Sequence, residues 1–207
     1  MGTLISLDIE DLSCIRGHRV LFRALNVAVQ AGQALSVEGP NGAGKTSLLR
    51  LIAGFLRPAA GTIRLQTKDG VVGDAEERGK FIGWLSHQDA VKPQLHVREQ
   101  LAFWARLYDN ASDPDAAMEA FGLMPLADLP GQYLSAGQKR RLALARLRLS
   151  NRPLWLLDEP LAALDSAGKA LLADTVTEHC AAGGIVLAAT HDPLGITCGR
   201  LNLGGAR

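Results

Sequence analysis

"GPNGAGKT", residues 39–46, decides how this chain is read. The stretch matches GxxxxGK followed by Ser or Thr. It comes after the strand-like run "ALSVE" and opens the helical pattern "GKTSLLRLIAG" (44–54). A glycine-rich turn between a strand and a helix is a phosphate cradle. Gly39, Gly42 and Gly44 let the backbone curl so that successive N–H groups point inward at an anion. The helix behind the loop adds the positive end of its dipole. Lys45 supplies a mobile charge for β- and γ-phosphates, and Thr46 a hydroxyl for Mg²⁺. Pro40, Asn41 and Ala43 complete the loop, and Ser47 continues its first helical turn. A chance glycine-rich turn would have to satisfy the glycines, the lysine, the hydroxyl and the flanking elements together.

Outward from this loop the chain alternates strands and helices. "LISLDIE" (4–10) alternates like a half-buried strand, and "VLFRALNVAVQAGQALSVEG" (20–39) reads as two strands joined by "QAGQ". "AAGTIRLQ" (59–66) reads as turn then strand, and the polar residues 67–80 as loop. "FIGWLSHQ" (81–88) is a short apolar run. From Val97 to Met124 the pattern is helical; "PLWLLDEP" (153–160) and "GGIVLAATHD" (183–192) are short strands of the buried type. Such alternation predicts a mostly parallel sheet covered on both faces. The extended N-terminal segments predict an antiparallel patch beside it, and 92–140 a helical insert.

Composition narrows the function classes. The chain has 207 residues, 47% hydrophobic and 21% charged, and a formal net charge of +1. That balance gives no global pull toward nucleic acid or an anionic membrane. No apolar run approaches the roughly 18 residues of a membrane span. "MGTLISLDIEDLSC" lacks the basic region and apolar core of a secretory signal. Cys14, Cys180 and Cys198 form no CxxC pair, which argues against a disulfide framework or a zinc site. The expected setting is cytosolic, with any membrane work left to another chain.

Two further strand ends carry candidate chemistry. "LWLLDE" ends in Asp158 and Glu159 where a buried parallel strand emerges, and ligands of such sheets collect at the carboxyl ends of the strands. Asp158 is a candidate Mg²⁺ holder and Glu159 a candidate base toward attacking water. The bland alternative is a pair of solvated acids capping the next helix. "ATHD" (189–192) places His191 at a third strand end, 32 residues beyond Glu159, room for one crossover helix. There it could contact a γ-phosphate and orient water.

A second anion-holding pattern stands far downstream: "LSAGQ" (134–138), then "KRRLALARL", then "LLDEP". Together with "GPNGAGKT", this combination resembles the ATP-binding-cassette ATPases over nearly the whole chain. The resemblance implies an α/β fold of the P-loop NTPase class, ABC ATPase type. Its mostly parallel RecA-like core and N-terminal antiparallel β patch would span about 1–91 and 150–207, and a helical subdomain about 92–149, all in one domain, 1–207. It also implies roles. Gln88 would sense Mg²⁺ and water. Asp165 would be the aspartate of the loop after the acidic strand. Ser135, Ala136, Gly137 and Gln138 would grip the ATP held on a second copy's glycine-rich loop, the two copies packing head to tail. Each chain would then hold half of each of two sites, which explains two cradles in one short protein. Lys139, Arg140 and Arg141 read as a solvated basic face or as ion pairs, in preference to nucleic-acid binding.

The chain departs from the family pattern in two places. Ala136 stands where glycine is usual, a mild change if the local φ is negative. Arg16 stands where an aromatic usually stacks on adenine, and a guanidinium plane offers a substitute. "LSAGQKRRLALARLRLSNRPLWLLDEP", "GGIVLAATHDPL", "LSCIRGHRVLF" and "WLSHQDAVKPQLHVREQLAFW" narrow the resemblance to the ATP-binding subunits of the bacterial cytochrome c maturation haem exporter. That implies ATP and Mg²⁺ as cofactors, integral membrane subunits as partners, a periplasmic haem chaperone as an indirect one, and a place on the cytoplasmic face of the inner membrane. Trp84, Phe103 and Trp104 mark a region where a membrane subunit could dock, against the alternative of core packing. His18, His87 and His96 belong to no haem-attachment pattern, and haem ligation by this chain is disfavoured. Three other readings stay open: the ATPase subunit of another transporter, a soluble ABC-type ATPase of DNA repair or translation, and a non-catalytic nucleotide-binding module.

Overall fold

The structure is a computed structural model and describes residues 3–108 and 113–204. Two sheets frame it. The antiparallel sheet has β1 (Leu4–Arg16), β2 (Arg19–Gln30), β4 (Ala60–Thr67) and β5 (Gly70–Val72), in the order β2-β1-β4-β5. The parallel sheet has β3 (Ala34–Glu38), β6 (Ile82–Leu85), β7 (Leu154–Asp158), β8 (Ile185–Ala189) and β9 (Gly199–Asn202), in the order β6-β7-β8-β3-β9.

β1 runs six residues beyond the expected strand 4–10. The reason is a change of phase. Leu7 and Ile9 face inward, then Leu12 and Cys14 do so, and the odd-to-even switch falls at Asp11, whose φ is 49°. The register with β2 slips there, and the Asp11 N–H donates to the Asn26 side chain at 2.9 Å. A bulge of this kind hides the second half of a strand from period-two reading. The two strands expected over 20–39 both form, but in different sheets. The turn at 31–33 carries the chain from the antiparallel sheet into the parallel one.

The expected loop at 67–80 is overturned in part. It contains β5 and the short helix α2 (Ala75–Gly79). The Asp74 carboxylate caps α2, accepting from Glu76 and Glu77 N–H at 2.9 and 3.0 Å. The buried Arg78 donates to the carbonyls of Ile52, Ile63 and Gly73. The segment is polar because its polar groups cap and anchor it. β9 was not foreseen; "GRLN" presents only a partly buried Leu201 as an apolar residue.

Helices cover the parallel sheet on both faces. On one side α1 (Lys45–Ile52) packs on β7 and β8 beneath the antiparallel sheet. On the other lie α3 (Val97–Tyr108), α4 (Pro114–Ala120), α5 (Ala136–Leu149) and α6 (Ser166–Ala181), with 3₁₀ turns at Met124–Leu126 and Gly131–Tyr133. Residues 109–112 of the helical stretch expected over 97–124 lie outside the described residues. The strands split their side chains by parity between two cores. Leu154, Leu156, Ile185 and Leu187 join the core under α1. Trp155, Leu157, Val186 and Ala188 join the core under α3–α6. Burial on both faces is why β7 and β8 read as unbroken apolar runs. The helix α6 supplies the crossover between these adjacent strands, so the carboxyl ends of β7, β8 and β3 lie side by side.

Candidate nucleotide-binding and catalytic site

The residues singled out at the three strand ends meet. Gly39 leaves β3 at φ 141° and Gly44 enters α1 at φ 107°, conformations that a side chain would strain. Space is short as well: a Cβ on Gly39 would lie 2.2 Å from the Leu203 carbonyl oxygen. Lys45 is 7% exposed, a burial that its partners make tolerable. Its ammonium donates to the Gly39 carbonyl at 2.8 Å and lies 3.0 Å from His191 Nε2. His191 Nε2 also faces Asn41 Oδ1 at 2.9 Å and Glu159 Oε1 at 3.4 Å. The imidazole therefore sits between one donor and two acceptors and is placed to take either role. The Thr46 hydroxyl donates to Asp158 Oδ1 at 2.9 Å across the gap between α1 and β7.

These two oxygens fit the chemistry of Mg²⁺. The ion takes few protein ligands, favours oxygen, and draws the rest of its shell from phosphate and water. Among the described residues no group of three or more His, Cys, Asp or Glu gathers as a protein-only metal cage.

Glu159 takes φ 48°, a left-handed backbone uncommon for a non-glycine residue. Its N–H donates to the Ala189 carbonyl at 2.8 Å, which turns its side chain out of the line of β7 and toward His191.

The second set lies elsewhere. Ser135 caps α5: its hydroxyl accepts from the Gln138 N–H at 3.2 Å, and the Gln138 side chain accepts from the Ser135 N–H at 2.8 Å. This reciprocal capping box occupies both side chains. Ala136 opens α5 without entering the left-handed region, so its methyl group fits where glycine is usual. A Cβ on Gly137 would lie 2.9 Å from the Ala163 carbonyl oxygen, and Arg141 pairs with Asp165 at 3.0 Å. The start of α5 thus packs on the 163–165 turn. Asp165 caps α6 through the Gly168 N–H at 2.8 Å, and this bond, with Arg141 beside it, holds its carboxyl below the usual range. Gln88 is exposed, three residues beyond β6, and its side chain is not hydrogen-bonded to Lys45 or Asp158.

Three positions gain detail from the structure. Of the two readings of Arg140, ion pair and solvated face, the ion pair holds: it is 1% exposed and pairs with Asp89 at 2.8 Å. Sequence spacing cannot distinguish it from Arg141, its half-exposed neighbour. Arg16 is exposed at the end of β1. It is Arg19, opposite it in the hairpin, that approaches the cradle, its guanidinium 3.6 Å from where a Cβ on Gly42 would lie. Of the two adjacent helical aromatics, Phe103 is 51% exposed, whereas Trp104 stacks on Tyr108 and lies under Arg146.

A lysine and a hydroxyl at the start of a glycine-flanked helix, facing an acidic strand end, define a P-loop nucleotide-binding site. Residues 22–162 match the ABC transporter family model. A cytochrome c biogenesis ATP-binding export protein of Nitrobacter winogradskyi is 50% identical over 198 residues, covering 95% of this chain and 97% of the relative. Its namesake from Rhodospirillum rubrum is 49% identical over 186 residues, covering 89% and 79%. The solved structure of a Pyrococcus furiosus chain, described as an ABC transporter ATP-binding protein, superposes with a TM-score of 0.81 at 26% identity, covering 96% of this chain and 97% of that one. The chain belongs to the ABC transporter family, among its cytochrome c biogenesis ATP-binding export proteins.

Proposed function

We propose that the chain is the ATP-hydrolysing subunit of a haem-exporting ABC complex in c-type cytochrome maturation. Its relatives' names support the assignment to cytochrome c biogenesis. The convergence of Lys45, Thr46, Asp158, Glu159 and His191 at adjoining strand ends supports hydrolysis and is the observation that carries the reading.

ATP binds with its phosphates in the 39–46 loop. Lys45 leaves the Gly39 carbonyl for the β- and γ-phosphates. Thr46 and Asp158 would hold Mg²⁺, which would supply charge to offset that of the phosphate oxygens. Glu159 takes a proton from the attacking water, and His191 and Gln88 fix that water's position. Ser135 and the N–H groups near Gly137 belong to the opposite site. They pack on the 163–165 turn of their own chain, exposed at a helix N-terminus, and would grip the γ-phosphate on a second copy. Loss of the γ-phosphate reopens the pair, and that motion is delivered to integral membrane subunits and on to haem or its periplasmic chaperone. The exposed Phe103 supports docking of such a subunit near α3. Among the described residues no helix is long and apolar enough to cross a membrane, which suits a peripheral place on the cytoplasmic face of the inner membrane.

The test is covalent haem in c-type cytochromes, in cells whose only copy of the gene carries Glu159→Gln. Loss of covalent haem at normal levels of the variant protein is expected. Normal covalent haem would overturn the assignment to cytochrome maturation.

A further inference from the structure

The buried Arg140 has no part in the chemistry described so far, yet it bonds the backbone of residues 158–160 around the proposed base and of Ser86 in the segment before Gln88. Nε donates to the Pro160 carbonyl at 3.2 Å. Nη1 donates to the Ser86 carbonyl at 2.9 Å and to Asp89 Oδ1 at 2.8 Å. Nη2 donates to the Asp158 carbonyl at 3.1 Å and to the Glu159 carbonyl. A guanidinium has five N–H donors, and here each has its own acceptor. A lysine could not do this: its three donors radiate from one point.

The consequence is geometric. Glu159 holds a left-handed backbone, φ 48°, which the surroundings must impose. Its N–H is fixed by Ala189 and its carbonyl by Arg140, so the peptide planes on both sides of the carboxylate-bearing residue are clamped. The same guanidinium grips residues 86 and 89, on either side of Gln88. It projects from α5, five residues after the Ser135 cap. We infer that Arg140 is a positioning residue that ties Glu159, the Gln88 segment and the nucleotide-facing end of α5 into one rigid unit. Closure of α5 on a partner's nucleotide and alignment of the base toward water are then a single event. This inference rests on the proposed role of Glu159.

The experiment measures ATP turnover by the full chain, together with any co-purifying membrane subunits, for Arg140→Lys, Glu159→Gln and the double variant. Arg140→Lys is expected to lower kcat about 10- to 100-fold while KM stays within about twofold, the signature of misplacement and not of lost binding. In the Glu159→Gln background, single-turnover hydrolysis of radiolabelled ATP is expected to be unchanged by Arg140→Lys. A role confined to stability would lower both backgrounds alike. Multiplying losses, a raised KM with kcat intact, or full activity of Arg140→Lys would each overturn the inference. Should Arg140→Lys fail to accumulate, Asp89→Ala in the same cycle keeps the guanidinium and its bond to the Ser86 carbonyl but removes its hold on residue 89. A kcat reduced about threefold, again only when Glu159 is present, is expected, and an unchanged kcat contradicts the inference. Full turnover by Glu159→Gln alone would instead defeat the reading of Glu159 as base.

Discussion

Gly39 shows how tightly single residues are specified around the cradle. Alanine there would meet both a left-handed backbone and the Leu203 carbonyl oxygen at 2.2 Å. Gly39→Ala is expected to lose about 1–3 kcal/mol in urea unfolding and to weaken ATP binding in a nucleotide titration. Thr46→Val separates chemistry from shape, since it keeps the volume and removes the hydroxyl that Asp158 accepts. The fold should lose only about 1 kcal/mol. The Mg²⁺ concentration for half-maximal turnover should rise about tenfold or more, and an unchanged Mg²⁺ dependence would remove Thr46 from the metal site. At this scale the cradle was legible in the sequence because its constraints are local: glycines, lysine and hydroxyl sit within eight consecutive residues. Arg140 was not, because what buries it comes from segments about 20 and 50 residues away. The same holds for Arg19, whose approach to Gly42 depends on how the β1–β2 hairpin folds over the loop.

Among the elements, the contact of α6 with β7 carries a pH-dependent term. The His179 ring stacks on Trp155 at 3.7 Å and 9°, and its Nε2 lies 3.2 Å from the Pro153 carbonyl. Burial lowers the His179 pKa from 6.5 to about 4. The unfolded chain therefore takes up the proton first as pH falls. The neutral ring carries no penalty above about pH 6.5, and stability is lost progressively between 6.5 and about 4. The full loss is of order 3 kcal/mol at most. His179→Phe should keep the stacking and flatten this part of the slope, read as Tm against pH from 7 to 4.5. An equal slope in both proteins would refute the assignment. Legibility of the elements followed period and caps. β7 and β8 were plain as unbroken apolar runs. β1 was cut short where the Asp11 bulge changed its phase, and α2 was missed although Asp74 followed by Glu76 and Glu77 is a helix-start signal. "SAGQ" likewise carried a capping box beneath its resemblance to a nucleotide-gripping loop.

For the whole molecule, topology decides what one chain can and cannot do. The order β6-β7-β8-β3-β9 sets three functional strand ends side by side, and the crossover α6 was anticipated from the spacing of Glu159 and His191. That β2 and β3 belong to different sheets was not legible, because a short turn reads alike in a hairpin and in a passage between sheets. The same topology sends the start of α5 to the 163–165 turn and not to its own cradle. On the proposed reading a complete site requires a second copy, and this is the central claim. The direct measurement mixes two chains with one introduced cysteine each, Asn41→Cys in one and Ala136→Cys in the other, both also carrying Glu159→Gln so that bound ATP persists. The account predicts an ATP-dependent disulfide between the two different chains on mild oxidation, with neither variant cross-linking to itself. No inter-chain disulfide from the mixture, with one instead formed inside a chain carrying both cysteines, would contradict the shared site.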